Sequence, residues 1–310
     1  MISICIPIHN YYVYPLVRRL ANQIHHLGFA GQVELVCIDN HSSGYYLNQN
    51  MGVCDIATYL QLSENIGRMR IRNLFLKYTK GDWLLFLDDT SKLPETFMET
   101  YMKYVDGKED VIVGGRDYDR RDNDREHRLC YLHGTNQESR PAEERAVKPY
   151  QSFMTNNFMI RRNVLERIKI DPRLCEYGHE DTLLGYHLAV DNVDILHIDN
   201  PVVNGDVETN AEFLKKTVKA VENLVDIYKL MWEDQRFCQT VRLIDLYGQV
   251  RRRGMENPFY NLFKLLKAPT ENLLAKGNVK SLKLFNFYKI GIFIQKLHHD
   301  TDGNESSISK

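Results

Sequence analysis

The stretch LLFLDDTSKLP, residues 84–94, joins an apolar strand to a pair of carboxylates, and this junction decides the fold class. Four apolar residues in a row, 84–87, are typical of a strand that is covered on both faces. Asp88 and Asp89 follow directly and place two negative charges where the strand leaves the core. In parallel sheets covered by helices, ligands bind at this carboxyl edge, so the stretch predicts a strand that ends at a binding site.

Strands and helices alternate along the first ninety residues. The segments 2–8 (ISICIPI) and 33–39 (VELVCID) predict buried strands, and 57–63 (ATYLQLS) predicts a short third strand. Apolar residues at helical spacing predict helices over about 14–27 and 66–80. The alternation predicts an α/β fold with an open, mostly parallel sheet covered by helices.

Polar side chains stand directly after three of these strands. His9 and Asn10 follow the first, Asp39 ends the second, and Asp88 with Asp89 follows the strand at 83–87. The carboxyl ends of parallel strands meet at one edge, so we expect one crevice to collect them. Taken alone, Asp39 is equally well explained as a turn or helix-cap residue.

Composition excludes some classes of protein. The chain has 310 residues, of which 43% are hydrophobic and 26% charged, as expected for a globular protein with a large core. The 40 Lys and Arg against 41 Asp and Glu argue against a general nucleic-acid binder. The six cysteines are scattered, which favours reduced thiols. No secretory signal and no bilayer-spanning run are evident, so we expect a cytoplasmic protein that meets a membrane only peripherally, at its inner face.

Five motifs in order resemble the family 2 glycosyltransferases with a GT-A fold: ISICIPIHN, ELVCIDNHSS, ENIGRMRIRN, GDWLLFLDDT and YGHEDTLLGYHL. The resemblance covers residues 1–205 and implies a Rossmann-like sheet with a nucleotide-sugar donor, most plausibly a UDP-sugar, at the strand ends. It implies donor-binding roles for Pro7, His9, Asn10, Tyr11, Asp39, Asn65, Gly67, Arg72, Asn73 and Asp88.

Physical arguments support the donor segment around Gly67 independently. A glycine near a helix start lets the backbone approach a ligand closely, and a helix N-terminus favours phosphate. Arg68 and Arg72 stand four residues apart on one helix face. We interpret Arg68 as a solvated surface charge.

The resemblance also implies a metal site of Mn²⁺ or Mg²⁺ held by Asp88 and Asp89 against the donor diphosphate. This chain departs from the family at two positions. Thr90 stands where the second signature aspartate is expected, and Asn204 where a histidine ligand is expected. Three explanations stay open: weak metal binding, which we favour, transfer without metal, or loss of activity. His197, inside a strand-like run, is interpreted as a core histidine.

The candidate catalytic base lies in CEYGHEDTLLGYHLAV, residues 175–190. Gly178 permits a sharp turn before a helix, and Glu180 and Asp181 follow. By resemblance, Asp181 is the general base of an inverting transfer and Glu180 orients the acceptor. The alternative is a pair of acids stabilised by the helix dipole without any catalysis.

Two further segments border the implied site. Asn156 and Asn157 match a family segment next to the acceptor, although strand-end turn residues would look the same. Residues 115–150 are charged and poor in apolar periodicity, which predicts a long loop over the active site or a solvated insertion.

The remainder of the chain predicts a C-terminal helical appendage over 206–299 and a disordered tail over 300–310. The apolar and aromatic segment 284–299, flanked by lysines, is interpreted as a helix docked on the transferase domain. The alternative is an interfacial segment that meets anionic lipid.

The sequence therefore predicts a hexosyl- or N-acetylhexosaminyl-transferase of bacterial surface-polysaccharide biosynthesis, acting on a glycan or lipid-linked acceptor. The alternative is a catalytically silent relative that binds nucleotide or glycan as a scaffold. A dinucleotide-dependent oxidoreductase is disfavoured, because no G-x-G-x-x-G follows the first strand.

Overall fold

The computed structural model describes residues 1–168 and 178–308, with side chains described as far as residue 300. The described chain divides into two compact units. An α/β unit contains residues 1–119, 135–168 and 180–206, and a helical unit contains residues 120–134, 178–179 and 207–308. The domain boundaries expected from the sequence stay predictions.

The α/β unit has a seven-stranded sheet and a small three-stranded sheet. The strands are β1 (Ile2–Ile8), β2 (Val33–Asp39), β3 (Thr58–Gln61), β4 (Trp83–Leu87), β5 (Ser91–Lys92), β6 (Val111–Val113), β7 (Arg116–Asp117), β8 (Asn157–Arg161), β9 (Ile195–His197) and β10 (Val202–Asn204). The large sheet has the order β3-β2-β1-β4-β8-β6-β9, and only the pairs of β8 with β4 and with β6 are antiparallel. The small sheet has the order β5-β10-β7.

Helices cover the large sheet: α1 (Tyr14–His26), α2 (Gly44–Gln49), α3 (Arg68–Tyr78), α4 (Phe97–Met102), α6 (Ala142–Ala146), α7 (Arg162–Arg167) and α8 (Glu180–Val190). Most of α5 (Arg128–Gln137) belongs to the helical unit. The predicted α/β fold with a mostly parallel sheet is confirmed, and the three strands 2–8, 33–39 and 83–87 begin and end where the sequence places them. Within 115–150 the structure has β7, α5 and α6; that this segment covers the active site stays a prediction.

Alternation along the central strands builds a core on both faces of the sheet. Ile2, Ile4, Ile6 and Ile8 face the cluster that contains the buried residues of α1. Cys5, between them, faces the cluster that contains buried residues of α3 and α8. Burial on both sides explains why the central strands read as continuous apolar runs.

Strand register brings the polar strand ends to one edge. β1 pairs in parallel with β2 from Ile2 opposite Val33 to Ile8 opposite Asp39, and with β4 on its other side. β8 runs antiparallel to β4 with Asn157 opposite Leu87, so β8 begins where β4 ends. The carboxyl ends of β1, β2 and β4 therefore share one edge with the start of β8.

The helical unit contains α9 (Asn210–Met231), α10 (Gln235–Thr240), α11 (Arg242–Arg252), α12 (Glu256–Ala275) and α13 (Lys283–Ile308). A capping box between Thr209 and Glu212 starts α9. The apolar segment 284–299 lies in α13, whose buried residues include Phe285, Tyr288 and Phe293. α13 packs against α9, α11 and α12. The expected docking of this segment on the transferase domain stays a prediction. Among the described residues, no helix is long and apolar enough to cross a membrane.

Candidate functional site

Hydrogen bonds tie the ends of β1, β2 and β4 together. The backbone N–H of His9 donates to Oδ2 of Asp89 at 3.1 Å, and His9 Nδ1 donates to the carbonyl oxygen of Asn40 at 3.0 Å. Asn10, with φ of 53°, donates its backbone N–H to the hydroxyl of Ser42 at 2.8 Å. The strand-end residues predicted from the sequence are thus brought together, with His9 in contact with both neighbouring strand ends.

Asp39 is fully buried at the end of β2 and organises the loop that follows. Its Oδ1 accepts from the backbone N–H of Ser42 at 2.7 Å, and its Oδ2 accepts from the hydroxyl of Tyr59 at 2.8 Å. Burial and the bond to Asp39 raise the pKa of Tyr59 well above its usual range, so Tyr59 stays a donor. The predicted contact of Asp39 with a donor nucleotide stays a prediction.

Pro7 and Tyr11 flank the turn after β1, and both are partly buried. Burial raises the pKa of Tyr11, and the nearby carboxylates Asp206 and Asp89 raise it further. Tyr11 therefore stands among the acidic residues of this edge as a neutral hydroxyl. Its predicted role in donor binding is compatible with that position and stays a prediction.

Gly67 caps the N-terminus of α3 with φ of 80°, in the left-handed region that favours glycine. Oδ1 of Asn65 accepts from the backbone N–H of Gly67 at 3.0 Å and from Nδ2 of Asn40 at 2.8 Å. These bonds fix the start of α3 against the end of β2. Asn73 is exposed one turn further along α3.

Arg72 is a buried cation that joins α3 to two strand ends. Its Nη2 lies 3.4 Å from Oδ1 of Asp88 and donates to the carbonyl oxygen of Thr155 at 3.1 Å. Its Nη1 donates to the carbonyl oxygen of Arg68 at 2.9 Å, and the side chain is only 4% exposed. A buried charge needs such partners, so Arg72 fixes Asp88 and Thr155 relative to each other.

Asp181, in the first turn of α8, is held by Thr155. Oδ1 of Asp181 accepts from the Thr155 hydroxyl at 2.5 Å and from its backbone N–H at 3.1 Å. Burial raises the pKa of Asp181 to about 6, the charge of Glu180 adds to this, and the Thr155 bonds and Arg72 oppose it. Asp181 as a whole residue is partly exposed.

Local backbone geometry explains the sharp start of α8. Gly178 has φ of 90° and His179 φ of 65°, so two left-handed residues turn the chain directly before Glu180. This is the turn that the sequence predicts at Gly178. Residues 175–177 of the predicted segment lie outside the described residues.

Glu180 is buried, and Oε1 lies 3.4 Å from Nη1 of Arg68. Arg68 keeps 56% of its side chain exposed, so it is a surface charge as interpreted but also an ion-pair partner. Sequence reasoning passed over this contact and over Thr155. The four-residue spacing of Arg68 and Arg72 is the signal that pointed to a shared face; for Thr155 the sequence offers no comparable pattern.

The two residues predicted to contact the acceptor substrate differ in whether their side-chain amides already have hydrogen-bond partners. Asn156 accepts from the backbone N–H of Asp88 at 3.0 Å through its carbonyl, while both polar atoms of its buried side chain have no partner among the described residues. Asn157 has no exposed surface, and its amide is bonded to Gly115, Asn200 and Tyr101. The unpartnered amide of Asn156 is the better candidate for an acceptor contact, and Asn157 supports β8.

Residues 3–169 match the family model described as glycosyl transferase family 2. The chain belongs to this family. A comparison with curated proteins found no match.

Several solved protein structures have a fold similar to that of this chain, although their sequence identity to it is low. Glucosyl-3-phosphoglycerate synthase from Mycobacterium tuberculosis, in complex with Mn²⁺, UDP and glucosyl-3-phosphoglycerate, has a TM-score of 0.51 at 15% identity, over 73% of this chain and 79% of that one. The mannosyltransferase PcManGT from Pyrobaculum calidifontis, with GDP-Man and Mn²⁺, has a TM-score of 0.55 at 14% identity, over 95% and 85%. TarS from S. aureus has a TM-score of 0.51 at 14% identity, over 94% of this chain and 54% of TarS. These likenesses establish the shared fold.

The residues present fit a weakly held hard cation. Burial raises the pKa of Asp89 to about 7, with Asp88 adding to it, while the backbone N–H groups of His9 and Thr90 lower it. A carboxylate whose ionised form is disfavoured in this way is stabilised when a cation binds next to it. Among the described residues, no cluster of three or more His, Cys, Asp and Glu side chains forms a metal site, so the cation would depend on fewer charged ligands than usual.

Asn204, which the sequence predicts to replace a histidine ligand, ends β10, and its role at a metal site stays a prediction. β10 pairs with β5 so that Asn204 stands opposite Ser91, and the N–H of the next residue, Gly205, donates to the carbonyl oxygen of Thr90 at 2.9 Å. Oδ1 of Asn204 is buried and without a partner among the described residues. An amide oxygen without a partner, in a strand that pairs with the segment after Asp89, is a neutral oxygen ligand of the kind that Mg²⁺ and Mn²⁺ accept.

His197, the other histidine considered, belongs to the core. It is buried in β9, its Nε2 donates to the carbonyl oxygen of Pro149 at 3.0 Å, and its Nδ1 accepts from Arg145 at 2.7 Å. Burial lowers its pKa to about 4, so it stays neutral. The interpretation of His197 as a core residue is confirmed.

Proposed function

We propose that this chain transfers a sugar from a nucleotide-sugar donor to an acceptor hydroxyl with inversion, with Asp181 as the general base. Membership of glycosyl transferase family 2 supports sugar transfer. Two proteins of the same fold have bound UDP and GDP-Man in their structures, which supports a nucleotide-sugar donor; we favour a UDP-sugar.

One observation carries the proposal: a continuous set of contacts runs from the donor motif to the base. Asp88 contacts Arg72, Arg72 donates to the carbonyl of Thr155, and Thr155 donates twice to Asp181. Buried polar groups that are hydrogen-bonded to one another hold each other in one geometry. Two acids that only stabilise the start of a helix would need no such link to Asp88, the residue that follows β4.

The proposed chemistry follows from these positions. As the acceptor oxygen attacks the anomeric carbon, the bond to the diphosphate breaks and the acceptor proton passes to Asp181. Glu180, whose charge is balanced by Arg68, orients the acceptor, and Asn156 offers an unused amide to its hydroxyls. The transition state has oxocarbenium character, so the nearby carboxylate stabilises it as well.

The donor lies at the shared strand edge in this proposal, with its diphosphate towards Asp88, Asp89 and the N-terminus of α3. A bound Mn²⁺ or Mg²⁺, held by Asp88, Asp89 and Asn204, would offset the negative charge that develops on the leaving diphosphate. The acceptor is proposed to be a glycan or lipid-linked precursor of a bacterial surface polysaccharide, met on the cytoplasmic side.

A donor-hydrolysis assay tests this function without knowledge of the acceptor, because water takes the acceptor's place. The purified chain is incubated with UDP-, GDP-, CDP- and dTDP-sugars and Mn²⁺, and nucleotide release is measured. We expect release from one nucleotide class, reduced about a hundredfold or more in Asp181→Asn. Asp191→Asn, at the exposed end of the same helix, is the matched control and should leave the rate unchanged. Equal rates for both variants would remove Asp181 from the mechanism.

The replaced metal-site positions, Thr90 and Asn204, favour one other function: a silent relative that binds nucleotide as a scaffold. The same assay separates the two. A chain that is stabilised by a nucleotide but releases none from any donor, with any metal, is a scaffold and not a transferase.

A further inference from the structure

The outward face of α12 carries a continuous apolar surface. Four leucines along it are strongly exposed, Leu262 at 48%, Leu265 at 75%, Leu266 at 38% and Leu273 at 45%, and Pro269 is exposed among them. Their spacing places them on one side of the helix over about 16 Å. We call these five residues the leucine face. Monomeric proteins rarely expose contiguous apolar patches larger than a few hundred Å², and larger ones commonly mark binding surfaces.

The core-facing side of α12 is a different side of the helix from the leucine face. Phe263 and Leu274 are fully buried there, and Thr270 is 4% exposed. α12 packs with this side against α13 and α9. The helix therefore has one apolar side inside the helical unit and a second one directed outward.

The segment around the leucine face carries an excess of positive charge. Residues 251–283 contain eight Lys and Arg but only two Glu, in a chain whose net charge is -1. Both glutamates are bonded inward: Glu256 to His298 at 3.1 Å, and Glu271 to the hydroxyl of Tyr288 at 2.5 Å. The exposed charges at the two ends of the leucine face, which include Arg252, Arg253, Lys276 and Lys280, are all positive.

From this combination we propose that the leucine face of α12 docks on an anionic lipid surface. Exposed leucines next to an excess of basic residues are what binds the interface of a membrane that carries negative headgroups. A second copy of the chain would bring two positive segments together, which like-charge repulsion opposes. The segment 284–299, which the sequence offers as an alternative site of peripheral membrane contact, is buried in α13. We place this contact on α12 instead. The proposal does not depend on the proposed transferase activity.

Vesicle co-sedimentation of the full chain tests the proposal. We expect sedimentation with vesicles made of equal parts phosphatidylcholine and phosphatidylglycerol, and much less with phosphatidylcholine alone. The double variant Leu262→Ser/Leu265→Ser should lose about tenfold or more of its partitioning. Leu230→Ser removes an equally exposed leucine from α9, 47% exposed, and is the matched control that should bind like the parent chain.

Charge is tested separately by Arg252→Gln/Arg253→Gln, which should weaken binding severalfold and make the remainder less sensitive to salt. Thermal unfolding of each variant verifies that it is folded. The proposal is overturned if the parent chain fails to sediment with anionic vesicles, or if the double leucine variant sediments as well as the parent. It is equally overturned if that variant changes only the sedimentation velocity of the protein alone, which would identify a second copy as the occupant.

Discussion

Thr155 donates both its hydroxyl and its backbone N–H to a single oxygen of Asp181, Oδ1. The two bonds favour the ionised carboxylate, while burial and Glu180 favour the protonated one. The balance leaves Asp181 with a pKa of about 6, above the usual value for aspartate but low enough for it to act as a base at neutral pH. The adjustment depends on the hydroxyl of Thr155, a residue whose backbone carbonyl accepts a hydrogen bond from Arg72.

Removing that hydroxyl should therefore shift the pH dependence of the reaction. Thr155→Val loses one bond to the ionised form of Asp181, so the pKa of Asp181 rises and the lower limb of the pH–rate profile moves upward by about one pH unit. Thr155→Ser keeps the hydroxyl and should keep the profile. Donor hydrolysis followed from pH 5 to pH 9 measures this; a uniform loss of rate with an unmoved profile would assign Thr155 a purely structural part.

Asp181 should also make stability depend on pH. Its folded pKa is raised above the unfolded value, so its stabilising contribution is complete below about pH 4 and is lost as pH rises through about 6. The side chain at this position in the Asp181→Asn variant cannot ionise. The free energy of unfolding of this variant, relative to that of the parent chain, should therefore increase by about 2 kcal/mol between pH 4 and pH 8. Urea unfolding at the two pH values measures the difference, with Asp191→Asn as control. A constant difference across this range would contradict the raised pKa.

Replacing Arg72 should both destabilise the sheet edge and change the pKa of Asp181. Arg72→Met leaves Asp88 and the carbonyl of Thr155 without their buried cation, which should cost about 2–3 kcal/mol of unfolding free energy. It should also raise the pKa of Asp181, because Arg72 lowers it in the parent chain. Arg70→Met, exposed on the same helix, is the control for losing an arginine. If both variants unfold alike and share one pH profile, Arg72 does not link the two sites.

Restoring the ligands that the family resemblance implies should tighten the proposed metal site. Thr90→Asp adds a carboxylate beside Asp89, and Asn204→His replaces the orphaned amide oxygen with an imidazole nitrogen; each should raise Mn²⁺ affinity about tenfold or more in the presence of UDP. Asn204→Ala should lower it. Calorimetric titration with Mn²⁺ measures all three. Unchanged affinity in both gain-of-ligand variants would place the cation, if any, elsewhere.

Local signals made the α/β framework predictable. β1, β2 and β4 are apolar runs closed by polar residues, and their parallel pairing brings His9, Asp39 and Asp88 to one edge as the strand-end rule requires. The link from Arg72 to Thr155 spans 83 residues of sequence, and no local pattern encodes it. It arises only when β8 pairs antiparallel with β4.

In the helical unit, too, local sequence patterns do not predict which residues are buried. The apolar run in α13 and the leucines of α12 look alike in sequence, since both are apolar segments with lysines nearby. Which of the two is buried depends on how the helices pack. The sequence therefore raises the question of a lipid-facing surface, but only the packing shows which of the two apolar segments stays exposed.

The central claim, a nucleotide site at the shared strand edge with a weakly held cation, is tested most directly by a thermal-shift titration. The chain is melted with UDP, GDP, CDP or dTDP, each with Mn²⁺ and with EDTA, next to an Asp89→Asn variant. A ligand that binds only the folded chain raises Tm according to its occupancy. The account predicts that UDP raises Tm in Mn²⁺, by less in EDTA, and that Asp89→Asn abolishes the difference between the two. Failure of every nucleotide to shift Tm in Mn²⁺ would contradict it.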